Sequence, residues 1–115
     1  MTTMRALTVR WSLADAPDGV EESLATYVAG TSHAKFTGMA GLHFKTWRIR
    51  PGEWFEGLYV FATDEARAAF QETFTAAAAE APGSQIIGSA PILIEESEVV
   101  AVAEGWEGFS ASARF

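Results

Sequence analysis

Few side chains in this sequence can do chemistry, and most of them fall within one stretch, Gly41-Leu42-His43-Phe44-Lys45-Thr46-Trp47-Arg48-Ile49-Arg50. His43, Lys45, Trp47 and Ile49 alternate with Leu42, Phe44 and Thr46, the period of two that puts each set on one face of a strand. An imidazole in that row titrates close to neutral pH and suits a general base or hydrogen-bond donor at a cavity wall; a half-buried structural histidine has the same pattern. Trp11, Trp47 and Tyr59 offer flat apolar walls with one N–H or O–H each to orient a ligand, and as plain core they would be indistinguishable. Arg10, Lys45 and Arg48 are strand cations that could steady a developing enolate or phenolate; on a solvated face they would form ion pairs worth under about 1 kcal/mol. His33, near the end of a helical segment, is expected to act as a favourable cation at a helix C-terminus. The candidate catalytic set is therefore His43, Trp47 and Tyr59, with Trp11, Lys45, Arg48 and His33 lining a pocket or stabilising charge.

Other chemistries find little support. The chain has no Cys, hence no disulfide, thiolate ligand or cysteine nucleophile, and a reducing cytoplasm is the expected compartment. Two histidines ten positions apart lack a spacing that converges metal ligands, and no Gly-x-Gly-x-x-Gly opens a helix after a strand. No metal and no cofactor are expected. With 8 Lys plus Arg against 15 Asp plus Glu, the net charge of −7 repels phosphate backbones and anionic lipid headgroups, so neither nucleic acid nor membrane is expected as a partner. No run approaches the roughly 20 apolar residues of a membrane span, and MTTMRALTVR lacks an apolar run long enough for a signal peptide, so none is expected.

These residues need elements to hold them. Met4 to Trp11 alternates, with Leu7, Val9 and Trp11 on one face, and is a predicted strand. Asp18 followed by Glu21 predicts an N-cap and its partner, with Val20, Leu24, Tyr27 and Val28 on one side of a helix that ends between Gly30 and Lys35. After Gly38 and Gly41 comes the long strand described above, then the Pro51-Gly52 turn and a strand from Trp54 to Ala62, making an antiparallel hairpin. Thr63 caps a second helix with Asp64 and Glu65 in its first turn. Ala66, Phe70, Phe74 and Ala77 line its face until Pro82 and Gly83 stop it after Ala81. Gln85 to Glu95 is expected as a strand, bulged or at an edge because of Gly88 and Pro91, and Glu98 to Glu104 as an extension of the pairing. The last residues, GWEGFSASARF, are either loose or an arm laid on a partner.

The order βαββαβ predicts an α+β, ferredoxin-like sheet with two helices on one face, in a domain of residues 1–103 followed by a tail or dimer arm at 104–115. Eight Phe, four Trp and two Tyr with 49% apolar residues are enough for one core. Because the central strands are apolar on both faces, the face without helices is expected to pack on a second copy.

The pair Gly41-Leu42-His43-Phe44-Lys45-Thr46-Trp47 and Gly57-Leu58-Tyr59-Val60-Phe61, joined to the Thr63-Asp64-Glu65-Ala66 helix start, resembles the YdhR-like monooxygenases of the dimeric α/β-barrel superfamily, over about Met4 to Glu95. The resemblance implies a homodimer with sheets face to face and a ligand cavity in each subunit. It also implies oxygen chemistry without metal or flavin, in which an aromatic or polyketide-like substrate is deprotonated and itself reduces dioxygen. Trp47 is the matched position. Haem-degrading members use an Asn, Trp and His set, and this chain has no Asn, which argues against that activity. The alternatives are a non-catalytic dimer, with or without a small apolar ligand, and an isomerase or cyclase using the same pocket.

Overall fold

The computed structural model describes residues 4–108. Its elements run β1 (Arg5–Ser12), α1 (Val20–Tyr27), a π-helical turn (Val28–Ser32), α2 (His33–Phe36), β2 (Leu42–Arg50), β3 (Trp54–Phe61), α3 (Asp64–Ala76), a 3-10 turn (Ala78–Glu80), α4 (Pro82–Ile87) and β4 (Leu93–Glu98). The strands form one sheet in the order β2-β3-β1-β4, every neighbouring pair antiparallel. β3 lies between β1 and β2, and β1 between β3 and β4, which is the split βαβ arrangement of a ferredoxin-like α+β fold. The core lies between sheet and helices: Leu7, Val9 and Trp11 from β1 and Phe55, Tyr59 and Phe61 from β3 meet Val20, Leu24, Phe36 and Ile87. Burying a side chain such as Phe61 or Leu24 contributes about 1.5–3 kcal/mol.

Several local expectations are corrected. Asp18 does not cap α1: the cap position is Gly19, at φ 79°, with no side-chain cap bond. A left-handed residue there leaves Asp18 one position too early to reach the first-turn amides. The helical path then runs on to Phe36, but through the π-turn, where the His33 amide donates to the Val28 carbonyl five residues back. Thr63 caps α3 as expected, its Oγ1 accepting from the Ala66 amide at 3.1 Å. α3 ends at Ala76 rather than Ala81, and Pro82 opens α4 instead of closing α3. Proline at a first helical position has no intrahelical amide bond to lose.

The segment expected as a strand from Gln85 is therefore helical as far as Ile87. Gly83, Ser84 and Ile87 are buried on one side of α4, a helical spacing. Gly88, at φ 89°, ends the helix, and β4 starts only at Leu93. Among the described residues, pairing beyond it is limited to the Val99 amide donating to the Met4 carbonyl at 3.1 Å; residues 100–108 are exposed. Among the described residues no helix is long and apolar enough to cross a membrane.

Candidate functional site

β2 is an edge strand, and on its helix-facing side Lys45, Trp47 and Ile49 stand opposite Tyr59, Gly57 and Phe55 of β3. Gly57 lets its neighbours close in on that row: a Cβ there would come within 3.3 Å of both Lys45 Cε and Tyr59 Cε1. The lysine stem and the tyrosine ring occupy the space a side chain would take. The π-turn and α2 close over this edge and bring Ser32, His33 and Phe36 to it. Trp47 Nε1 donates to Ser32 Oγ at 3.2 Å, which fixes the indole. Phe36 meets Trp47, Tyr59 and Phe70 edge-on at centroid distances of 6.1, 5.5 and 5.9 Å, and Tyr59 and Phe70 are 4.8 Å apart.

The Lys45 amine lies inside this ring set, 3.7 Å from the Phe36 centroid, 4.2 Å from Tyr59 and 4.5 Å from Trp47. Among the described residues it has no carboxylate within ion-pairing distance. Burial pulls its pKa down from 10.5 to about 6, and the Lys35 charge adds to the shift; ring faces that attract the ammonium oppose it. Burial, and secondarily Tyr27, pushes the Tyr59 phenol well above its usual range, so Tyr59 stays protonated. The site thus combines an amine free to accept a proton with a phenol that keeps its own.

The residues singled out by sequence separate in space. Lys45, Trp47 and Tyr59 come together, and His33 joins them, its ring 5.9 Å from Trp47. His43 does not: the pairing passes from Leu42↔Phe61 to Phe44↔Val60, leaving His43 on a bulge, where it is exposed. The extra residue resets the alternation, so Leu42, and not His43, packs with the Lys45 row on the core. Trp11 is buried at another part of the core, donating to Ser84 Oγ at 3.0 Å and packing on Phe55 and Phe74. Arg48 belongs to the opposite sheet face. There it and Arg10 both pair with Glu56, which is 2% exposed, and both guanidinium groups lie over Trp54. Phe70 was expected on the inner face of the second helix but not at this site, and Ser32 and Phe36 were not expected at all; no period in the sequence announces the π-turn that swings Ser32 toward Trp47.

Among the described residues no three His, Asp or Glu side chains are grouped to hold a metal ion. No family model matches the chain, and no curated protein does. Among solved structures, a protein of unknown function from Nitrosomonas europaea superimposes with a TM-score of 0.66 at 27% identity, covering 90% of this chain and 96% of its own. A "putative antibiotic biosynthesis monooxygenase" from Chloroflexus aurantiacus superimposes with a TM-score of 0.50 at 18% identity, covering 87% of this chain and 96% of its own. At that identity the second likeness is one of fold.

Proposed function

We propose that the chain is a cofactor-independent monooxygenase for a small aromatic or polyketide-like substrate, and that the Lys45 cage is its substrate site. The observation that carries this reading is the amine of Lys45 held among Phe36, Trp47 and Tyr59 with no carboxylate in ion-pairing distance among the described residues. The name of the Chloroflexus protein and the resemblance of the β2–β3 hairpin to YdhR-like monooxygenases support it. A planar substrate stacks on the rings, and Lys45 Nζ takes an acidic C–H or O–H proton. The ammonium then sits against the phenolate or enolate, where charge stabilisation counts most. The anion passes an electron to dioxygen and the radicals combine to a peroxide. For an anthrone CH2, loss of water from that peroxide leaves a ketone: one oxygen atom enters the product and the other leaves as water, with the Lys45 proton returned to it. Trp47, fixed by Ser32, and the protonated Tyr59 orient the substrate. His43, on its bulge, is reassigned outside this site.

The working unit in this proposal is a homodimer. Phe44, Thr46, Leu58 and Val60 share the sheet face away from the helices, and Val100 and Trp106 on the following segment are fully exposed, so Trp106 covers no cavity of its own chain. Phe109 and Phe115, the other aromatics expected in the arm, lie outside the described residues.

The test is oxygen consumption by protein freed of metal and flavin, with a panel of anthrones and hydroquinones. Uptake that is lost in Lys45→Met supports the proposal. Absence of uptake with every compound refutes it, and turnover of the same panel without oxygen assigns the site to an isomerase or cyclase.

A further inference from the structure

We propose that Lys45 is also a nucleophile, whose amine condenses with the carbonyl of an apolar aldehyde or ketone entering the ring cage and holds it as an imine. Three features of the geometry lead there. The chain has only two lysines, Lys35 and Lys45; Lys35 is exposed whereas Lys45 is half-buried on the edge strand, its amine set among rings rather than in bulk water. Its nitrogen is within 4.5 Å of three ring centroids, so an aryl carbonyl compound that stacks on those rings brings its carbonyl carbon to the amine. Finally, with no carboxylate in ion-pairing distance among the described residues, no ion pair holds the nitrogen as an ammonium, the form that cannot attack, and only the ring faces favour the charge. The lowered proton affinity of this amine acts in the same direction.

The step balances without an added reactant. The amine nitrogen adds to the carbonyl carbon and one N–H proton moves to the oxygen, giving a carbinolamine. The second N–H proton leaves with that oxygen as water, and the C=N bond forms. Rings that exclude water slow the reverse hydrolysis. The ligand class is thus an apolar carbonyl compound with a flat arene or conjugated system, and the chemistry needs neither oxygen nor the proton abstraction proposed above.

The experiment is reductive trapping. The full chain is incubated at pH 7 with 2-naphthaldehyde and cyanoborohydride, digested, and the adduct located by mass spectrometry. Modification of Lys45 at least tenfold faster than of Lys35, abolished when the protein is first unfolded in urea, is expected. Labelling of Lys35 and the chain's α-amine with Lys45 unlabelled, or equal labelling of both lysines, overturns the inference, and neither result depends on a variant that folds. Lys45→Arg, checked by circular dichroism, should lose the selective adduct. Trapping without oxygen uptake on the anthrone panel would remove the monooxygenase reading and leave this one; uptake without trapping would do the reverse.

Discussion

Replacing Lys45 by Met removes an amine while keeping an unbranched side chain of similar length in the ring set, and the consequence for stability has a definite sign. In the folded chain the Lys45 pKa is lowered from 10.5 to about 6. Below about pH 6 the amine is protonated folded and unfolded alike, and the penalty for burying it is complete. Between about 6 and 10.5 only the unfolded chain holds the proton, so stability rises with pH across that window. The slope is at most about 1.4 kcal/mol per pH unit, or roughly 4 kcal/mol from pH 6 to 9. Attraction of the ammonium to the ring faces and partial access to water reduce this, leaving about 2–3 kcal/mol. Urea unfolding followed by tryptophan fluorescence at pH 6, 7, 8 and 9 should show the wild type gaining that amount on Lys45→Met as pH rises. The variant should be the more stable of the two at pH 6 and 7. Parallel pH profiles, or a Lys45→Met protein less stable than wild type throughout, would refute the reasoning.

Other contacts give smaller, separable effects. Ser32→Ala removes the acceptor of the Trp47 indole N–H and should cost about 1 kcal/mol in urea unfolding, with a larger fall in oxygen uptake than in stability if Trp47 orients the substrate. Thr63→Ala deletes the α3 cap and should lower stability by about 1 kcal/mol, with no change in the pH profile assigned to Lys45. Glu56→Ala releases Arg10 and Arg48, whose side chains are 33% and 54% exposed. Because both can reach water, the loss should stay near 1–2 kcal/mol rather than the 3–5 of a fully buried pair. Trp106→Ala should leave the unfolding midpoint unchanged, its side chain being fully exposed, while weakening self-association measured by light scattering; unchanged association would remove the arm from the dimer proposal.

Period and punctuation made the first three strands legible, but not the bounds of the fourth. The alternation of Leu7, Val9 and Trp11 and the Pro51-Gly52 turn located β1 and the hairpin, and Thr63 located the start of α3, because each rests on local geometry. Where a residue type allowed two local structures, tertiary contacts decided. Pro82 can end one helix or begin another, and the fit of Gly83 against Trp11, 3.2 Å from a hypothetical Cβ, goes with the second. The same holds at the site. Trp47 and Tyr59 were placed by strand alternation, but a one-residue bulge at His43 took that residue out of the expected row, exposing the imidazole and leaving the half-buried amine of Lys45 as the proton acceptor. A period of two cannot register an inserted residue. Nor could sequence show that Arg10 and Arg48 are engaged by Glu56, because that pairing spans three strands.

The most direct test of the account is the titration of Lys45 itself. In protein labelled at the lysine ε-carbon, two NMR signals are expected, with Lys45→Arg assigning one of them. An inflection of the Lys45 signal near pH 6 is the predicted result and leaves an amine able to take a proton at neutral pH. An inflection above pH 9 would mean that the rings hold a permanent cation, contradicting both the proposed base and the proposed nucleophile.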